Sequence, residues 1–235
     1  KVQNRFPDAI FLSEAFTRPK MMLALAKAGF TQSYTYFTWR NTKHELTEYF
    51  TELTTSHWAD FFRPNLWPNT PDILPVLLQQ GGRAAFQMRA VLATLLSPVY
   101  GIYSGFELCE NTALPNKEEY LDSEKYQWKE RDWNAPGNIK PLITRLNSIR
   151  KNNRALHQFR NLRFHTSENE HILFFSKSTE ARDNVLLVAV LLDPWHPHAG
   201  YVHVPLDLIG CGPDETYQVH DLLTDERFLW AGTSN

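Results

Sequence analysis

Apolar positions in the first two-thirds of the chain alternate between short runs and longer stretches with helical spacing. The segment DAIFLSEAF predicts a strand over Asp8 to Ser13 that ends in polar residues. RPKMMLALAKAGF then predicts a helix: Met21, Met22, Leu25 and Ala26 share a face, Pro19 suits the first turn and Gly29 the stop. TQSYTYF predicts a second strand. NTKHELTEYFTEL predicts a second helix, with Glu45 placed for a capping box to Thr42. ADFFRPNLW and VYGIYSGFEL are further strand candidates. TPDILPVLLQ, GRAAFQMRAVLATLL and the long amphipathic IKPLITRLNSIRKNNRALHQF predict helices.

Four strand–helix units therefore fill about 160 residues, with strands starting near residues 9, 31, 60 and 99. Such alternation predicts parallel strands joined by crossover helices. A closed eight-unit barrel takes about 250 residues, so four units are half of one. A half barrel leaves sheet edges open, which folded proteins avoid. Either the region is a small open sheet of α/β class, or four strands lie outside the chain; the second is the expectation. From residue 161 the pattern changes. NLRFHTSENEHILFFSKS, NVLLVAVLLD, GYVHVPL and ETYQVHDLL are β-rich runs separated by turn residues, predicting an appended antiparallel β-sandwich. The boundary falls near Phe159 to Asn161.

Composition narrows the function. The 235 residues carry a net charge of −2, with 43% hydrophobic and 21% charged positions. This balance argues against a nucleic-acid or anionic-membrane partner, since either would need a basic face. No apolar run approaches a membrane span, and the start, without Met or signal-peptide core, reads as the middle of something longer. Cys109 and Cys211 form no disulfide framework; both are read as inert thiols of a reducing compartment. Seven Trp leave two readings open, core packing and stacking on sugar rings. The sequence contains no HExxH, paired CxxC, phosphate-loop or GxGxxG signature. His196 and His198 sit in a Pro-flanked loop, and metal binding is not expected there because the sequence pattern offers no further partners.

The C-terminal ends of barrel strands carry active sites. Glu14 follows the apolar AIFL directly, between Phe11 and Phe16. Desolvation there would suit it to general acid work, and pairing with Arg18 at the helix start is the other reading. Asp72 lies two units further on, at the same end of the sheet. Thr70, Pro71 and Asp72 also read as the start of a helix. Two carboxylates over one sugar are what glycosyl transfer requires, and a retaining route needs a third as nucleophile. Glu107, Glu110, Asp122 and Asp132 offer no reason to prefer one.

FLSEAFTRPKMM, AKAGFTQSYTYFTWRNTKHELTEY, FFRPNLWPNTPDILP, GIYSGFELCE and EYLDSEKYQ resemble the α-1,4-glucan:maltose-1-phosphate maltosyltransferases of glycoside hydrolase family thirteen, the α-amylase family. The resemblance continues through NLRFH, LLDP and VHDLL. It implies that residues 1–160 are strands five to eight of a (β/α)8 TIM barrel and 161–235 an incomplete C-terminal β-sandwich. It makes Glu14 the general acid/base and Asp72 the transition-state stabiliser. It makes Lys125 and Tyr126 binders of the donor maltosyl unit; without it they read as a solvated Lys beside Glu124 and a packed Tyr. Pro71 and Ser13 stand where most amylases have His and where Ala is expected.

The implied substrates are maltose 1-phosphate and an α-1,4-glucan, with no metal or organic cofactor, a cytoplasmic location, and a homodimer formed through segments outside the chain. The family's nucleophilic Asp and most of its phosphate contacts fall upstream of Lys1, so the fragment alone is expected to be inactive. A trehalose synthase, a glucan hydrolase, a branching enzyme, a catalytically silent glycan-binding module and a self-contained α/β domain remain as alternatives.

Overall fold

The computed structural model describes residues 2–125 and 128–235. After a short helix α1 (Val2–Arg5) come β1 (Leu12–Ser13), α2 (Pro19–Lys27), β2 (Gln32–Tyr34), α3 (Lys43–Thr55) and β3 (Pro64–Asn65). The three strands form a parallel sheet in sequence order, with Ser13 opposite Ser33 and Tyr34 opposite Asn65. A parallel bridge between Leu66 and Tyr100 adds a fourth position. Between β3 and that bridge lie α4 (Val76–Gln80) and α5 (Gly82–Leu96).

Local sequence explains the helix limits. Pro19 opens α2, and Gly29, at φ 107°, follows it in a conformation other residues rarely adopt. At α3 the Thr42 hydroxyl accepts from Glu45 N while the Glu45 carboxylate accepts from Thr42 N, the expected capping box. Its buried face, Leu46, Tyr49, Phe50 and Leu53, joins the main core. Each such side chain, fully buried, contributes about 1.5–3 kcal/mol.

Two expectations change. The helix expected at Thr70 begins only after Pro75, so Asp72 lies in a turn in which its N–H donates to the Thr70 hydroxyl at 3.2 Å. Pro75 disfavours helical geometry at Leu74 before it, which delays the start. Within α2, Met22 and Ala26 are buried but Met21 is exposed, so the apolar face is narrower than the sequence reading.

After α6 (Lys140–Asn152) and a single 3-10 turn, the strands become longer and antiparallel. β4 (Leu162–His165), β5 (Ile172–Ser178) and β6 (Val185–Leu191) form one sheet; β7 (Thr216–His220) and β8 (Arg227–Ala231) form another, with the short helix α7 (Leu206–Ile209) between. GYVHVPL forms no strand, only bridges from Val202 to Ser167 and from His203 to Ser234. Alternation along β5 serves two cores. Leu173 and Phe175 join the main core with α5 and α6, whereas Phe174 joins Val202, Val204, Tyr217 and Trp230 between the two sheets. The parallel and antiparallel regions thus share buried apolar packing.

Candidate functional site

In a parallel sheet all strands end on the same side. Glu14 directly follows β1, Tyr34 ends β2, and Trp67 and the turn bearing Asp72 follow β3. An aromatic cluster fills the space beneath. Tyr34 stacks on Trp67 with ring centroids 5.0 Å apart, and Phe16 meets Tyr34 and Trp39 edge-on. A Cβ on Gly101 would lie 2.2 Å from the Trp67 ring, so only glycine allows this approach. Trp39 Nε1 donates to Glu118 at 2.9 Å. These Trp rings are therefore packing elements, while Trp128 and Trp133 are exposed.

Glu14 is exposed. Phe11 and Phe16 do not wall it in, because Phe16 turns onto Tyr34 and Trp39 and Phe11 packs edge-on against Phe30. Burial, and then the Glu14 charge, push the Tyr34 hydroxyl up to about 12, which ties Glu14 to the aromatic cluster. Asp72 is paired with Lys125 at 2.7 Å, and each side chain is about half exposed. The structure thus brings together two of the sequence-predicted residues, Asp72 and Lys125, at the strand-end side that also carries Glu14. Tyr126 lies outside the described residues.

Sequence reasoning missed the frame behind Lys125. Arg131, whose side chain is 3% exposed, bridges Glu110 at 2.9 Å and Glu124 at 2.6 Å, and its guanidinium stands over Tyr103 and Trp133. The Glu124 N–H donates to the Tyr103 hydroxyl at 2.7 Å. The Arg131 guanidinium holds the Glu124 carboxyl below the usual range. Gly105, at φ 94°, makes room for Glu110: a Cβ there would lie 2.3 Å from its Oε2. The residue next to Lys125 is thereby fixed from two sides. Gly105 ahead of paired acids was the available signal, hidden because loop charges ordinarily read as solvated.

The backbone arrangement resembles solved α-amylases. It superposes on the α-amylase from Geobacillus thermoleovorans with a TM-score of 0.73 at 13% identity, covering 99% of this chain and 52% of that one. For the γ-CGTase from Alkalophilic bacillus clarkii the TM-score is 0.61 at 14% identity, over 95% and 35%. The fold is α-amylase-like.

Sequence comparison is more specific. A family model described as GLGE, C-terminal, matches residues 164–235. The alpha-1,4-glucan:maltose-1-phosphate maltosyltransferase of Myxococcus xanthus is 56% identical over 99% of this chain, and that of Pseudomonas aeruginosa 53% over 99%. The chain is a close sequence relative of these maltosyltransferases, and it spans 35% of the length of each of the two. Among the described residues no helix is long and apolar enough to cross a membrane.

Proposed function

We propose that this chain is part of a retaining glycosyltransferase that moves a maltosyl unit from α-maltose 1-phosphate to the non-reducing end of an α-1,4-glucan, with release of phosphate. In this reading residues 1–160 are strands five to eight of a (β/α)8 barrel and residues 161–235 belong to its β-sandwich. The carrying observation is the Asp72–Lys125 pair at the strand-end side that also bears Glu14, in a chain 56% identical to a maltosyltransferase. The exposed apolar side chains of Leu12, in β1, and of Ile10, just before it, support a further part of the fold that would cover them.

The roles follow from chemistry. A nucleophilic carboxylate from outside these residues attacks the anomeric carbon as the bond to phosphate breaks, and Glu14 assists phosphate departure. A covalent glycosyl intermediate results. Glu14 then takes the proton from the glucan 4-hydroxyl as that oxygen attacks the same carbon. Two inversions preserve the α configuration. Asp72 grips hydroxyls of the sugar in flight, and Lys125 and Tyr126 hold the donor. Donor and acceptor, a cytoplasmic location and a homodimer belong to the same reading.

The test is to incubate the complete protein with maltose 1-phosphate and glycogen. The expected result is phosphate release with glucan elongation, and the 235-residue chain alone releases none. Shortening of the glucan without use of the donor would overturn the reading in favour of a hydrolase.

A further inference from the structure

The loop after β6 gathers histidines that the proposed reaction does not use. Asp193 lies at its start, and its side chain is only 10% exposed. Oδ1 accepts from Trp195 N at 2.8 Å and from His196 N at 3.2 Å, which fixes the carboxylate in the loop. Oδ2 faces two imidazoles, His198 Nε2 at 2.8 Å and His196 Nδ1 at 3.1 Å. A third ring arrives from the other strand. His171 immediately precedes β5, its carbonyl accepts from Leu192 N at 2.7 Å, and Ile172 pairs with Leu191. This register sets the His171 ring against that of His198 with centroids 4.2 Å apart. Donor atoms of His171, Asp193 and His198 all lie within 4.8 Å of one another.

We propose that His171, Asp193 and His198 form a binding site for a divalent transition metal of the zinc class. Two imidazole nitrogens beside one carboxylate suit Zn²⁺ rather than Mg²⁺ or Ca²⁺, which take oxygen ligands. Around tetrahedral zinc, donors at about 2.0–2.1 Å from the metal sit about 3.3 Å from each other. Small side-chain rotations would bring the present set to that spacing, and the exposed His171 ring has room to turn. Three protein ligands leave the fourth position to water. The Trp195 and His196 amides act as outer partners that orient Asp193, and His196 remains an outer contact on Oδ2. The metal would join the start of β5 to the loop after β6, so its role is to staple the antiparallel region.

The experiment is a Co²⁺ titration of the metal-free complete protein, followed by visible absorption, with Zn²⁺ competition against a chromophoric chelator. We expect one equivalent that is present in the wild type and absent in His171→Gln and His198→Gln. In each the affinity should fall by more than the roughly 10–100-fold that loss of an outer partner costs. His203→Gln, on an exposed ring paired with Glu168, should titrate like the wild type. Zn²⁺ should raise the melting temperature of the wild type and leave that of His171→Gln unchanged. His171 is exposed, so this variant tests the site without disturbing the core. Identical titrations for the wild type, His171→Gln and His198→Gln would overturn the proposal, and would leave the sugar-transfer reading untouched.

Discussion

Glu14, Asp72 and Lys125 stand exposed or half-exposed where the parallel strands end, whereas Lys177 and Arg89 are shut away in the shared core. Arg89 donates to the carbonyls of Phe37 and Arg40 and lies over the Phe37 ring at 3.8 Å, tying α5 to the turn after β2. Lys177, on β5, donates to the Gln158 carbonyl at the junction of the two regions. Burial pushes its ammonium down to about 7, with the Arg150 charge adding to the shift. Charges at the strand ends are placed at little cost in solvation and are available to a ligand. These buried charges are held by carbonyls, and among the described residues no carboxylate stands in salt-bridge range of either. The first set should matter to chemistry and little to stability, and the second the reverse.

The sharpest way to break this contrast is Glu14→Gln in the complete protein. If Glu14 is the acid/base, kcat for phosphate release falls by about 10²–10⁴-fold. Because the side chain is exposed, unfolding free energy should move by no more than about 0.5 kcal/mol. Unchanged kcat would remove Glu14 from the mechanism.

The second test lies at the junction. The folded pKa of Lys177 is lowered relative to the unfolded one, so between pH 7 and about 10 the unfolded chain binds more protons. Stability contributed at this position therefore rises as pH increases through that window, by at most about 1.4 kcal/mol per pH unit. Lys177→Met should flatten the rise. Urea unfolding at pH 7.5 and 9.5 should show the wild type gaining about 2–3 kcal/mol more than the variant. Equal gains in the two proteins would mean that the ammonium is solvated or paired.

Different parts of this architecture were legible for different physical reasons. The capping box at Thr42 and Glu45 and the stop at Gly29 could be read because local chemistry decides them. The strands could be located but not measured. β1 and β3 are two residues long, and no periodicity resolves a strand that short. The start of α4 was misplaced because Thr70 and Pro71 carry helix-start chemistry that Pro75 overrides. Glu14, Asp72, Lys125 and Tyr126 drew their roles from family resemblance; composition alone left each with a bland alternative. The Arg131 frame and the meeting of His171 with Asp193 depend on residues brought together by folding, and no local pattern encodes either.

The third test also expects little change in stability and reads donor binding instead. An ion pair as exposed as Asp72–Lys125 contributes about 0–1 kcal/mol, because water screens it and two flexible side chains must be held in place. A merely solvated lysine would therefore be silent in Lys125→Met, in stability and in kinetics alike. If Lys125 instead holds the donor, the substitution leaves the unfolding midpoint nearly unchanged yet raises KM for maltose 1-phosphate. A loss of about 1.4 kcal/mol of donor binding corresponds to a tenfold rise. The glucan KM should stay within about twofold, since the acceptor enters later and does not rely on this contact. Arg131 supplies the reason that a flexible, half-exposed lysine could be used at all. Through Glu124 it fixes the backbone beside Lys125, so less of the side chain's freedom remains to be lost when the sugar binds. Equal rises in both KM values would instead assign Lys125 to general upkeep of the loop.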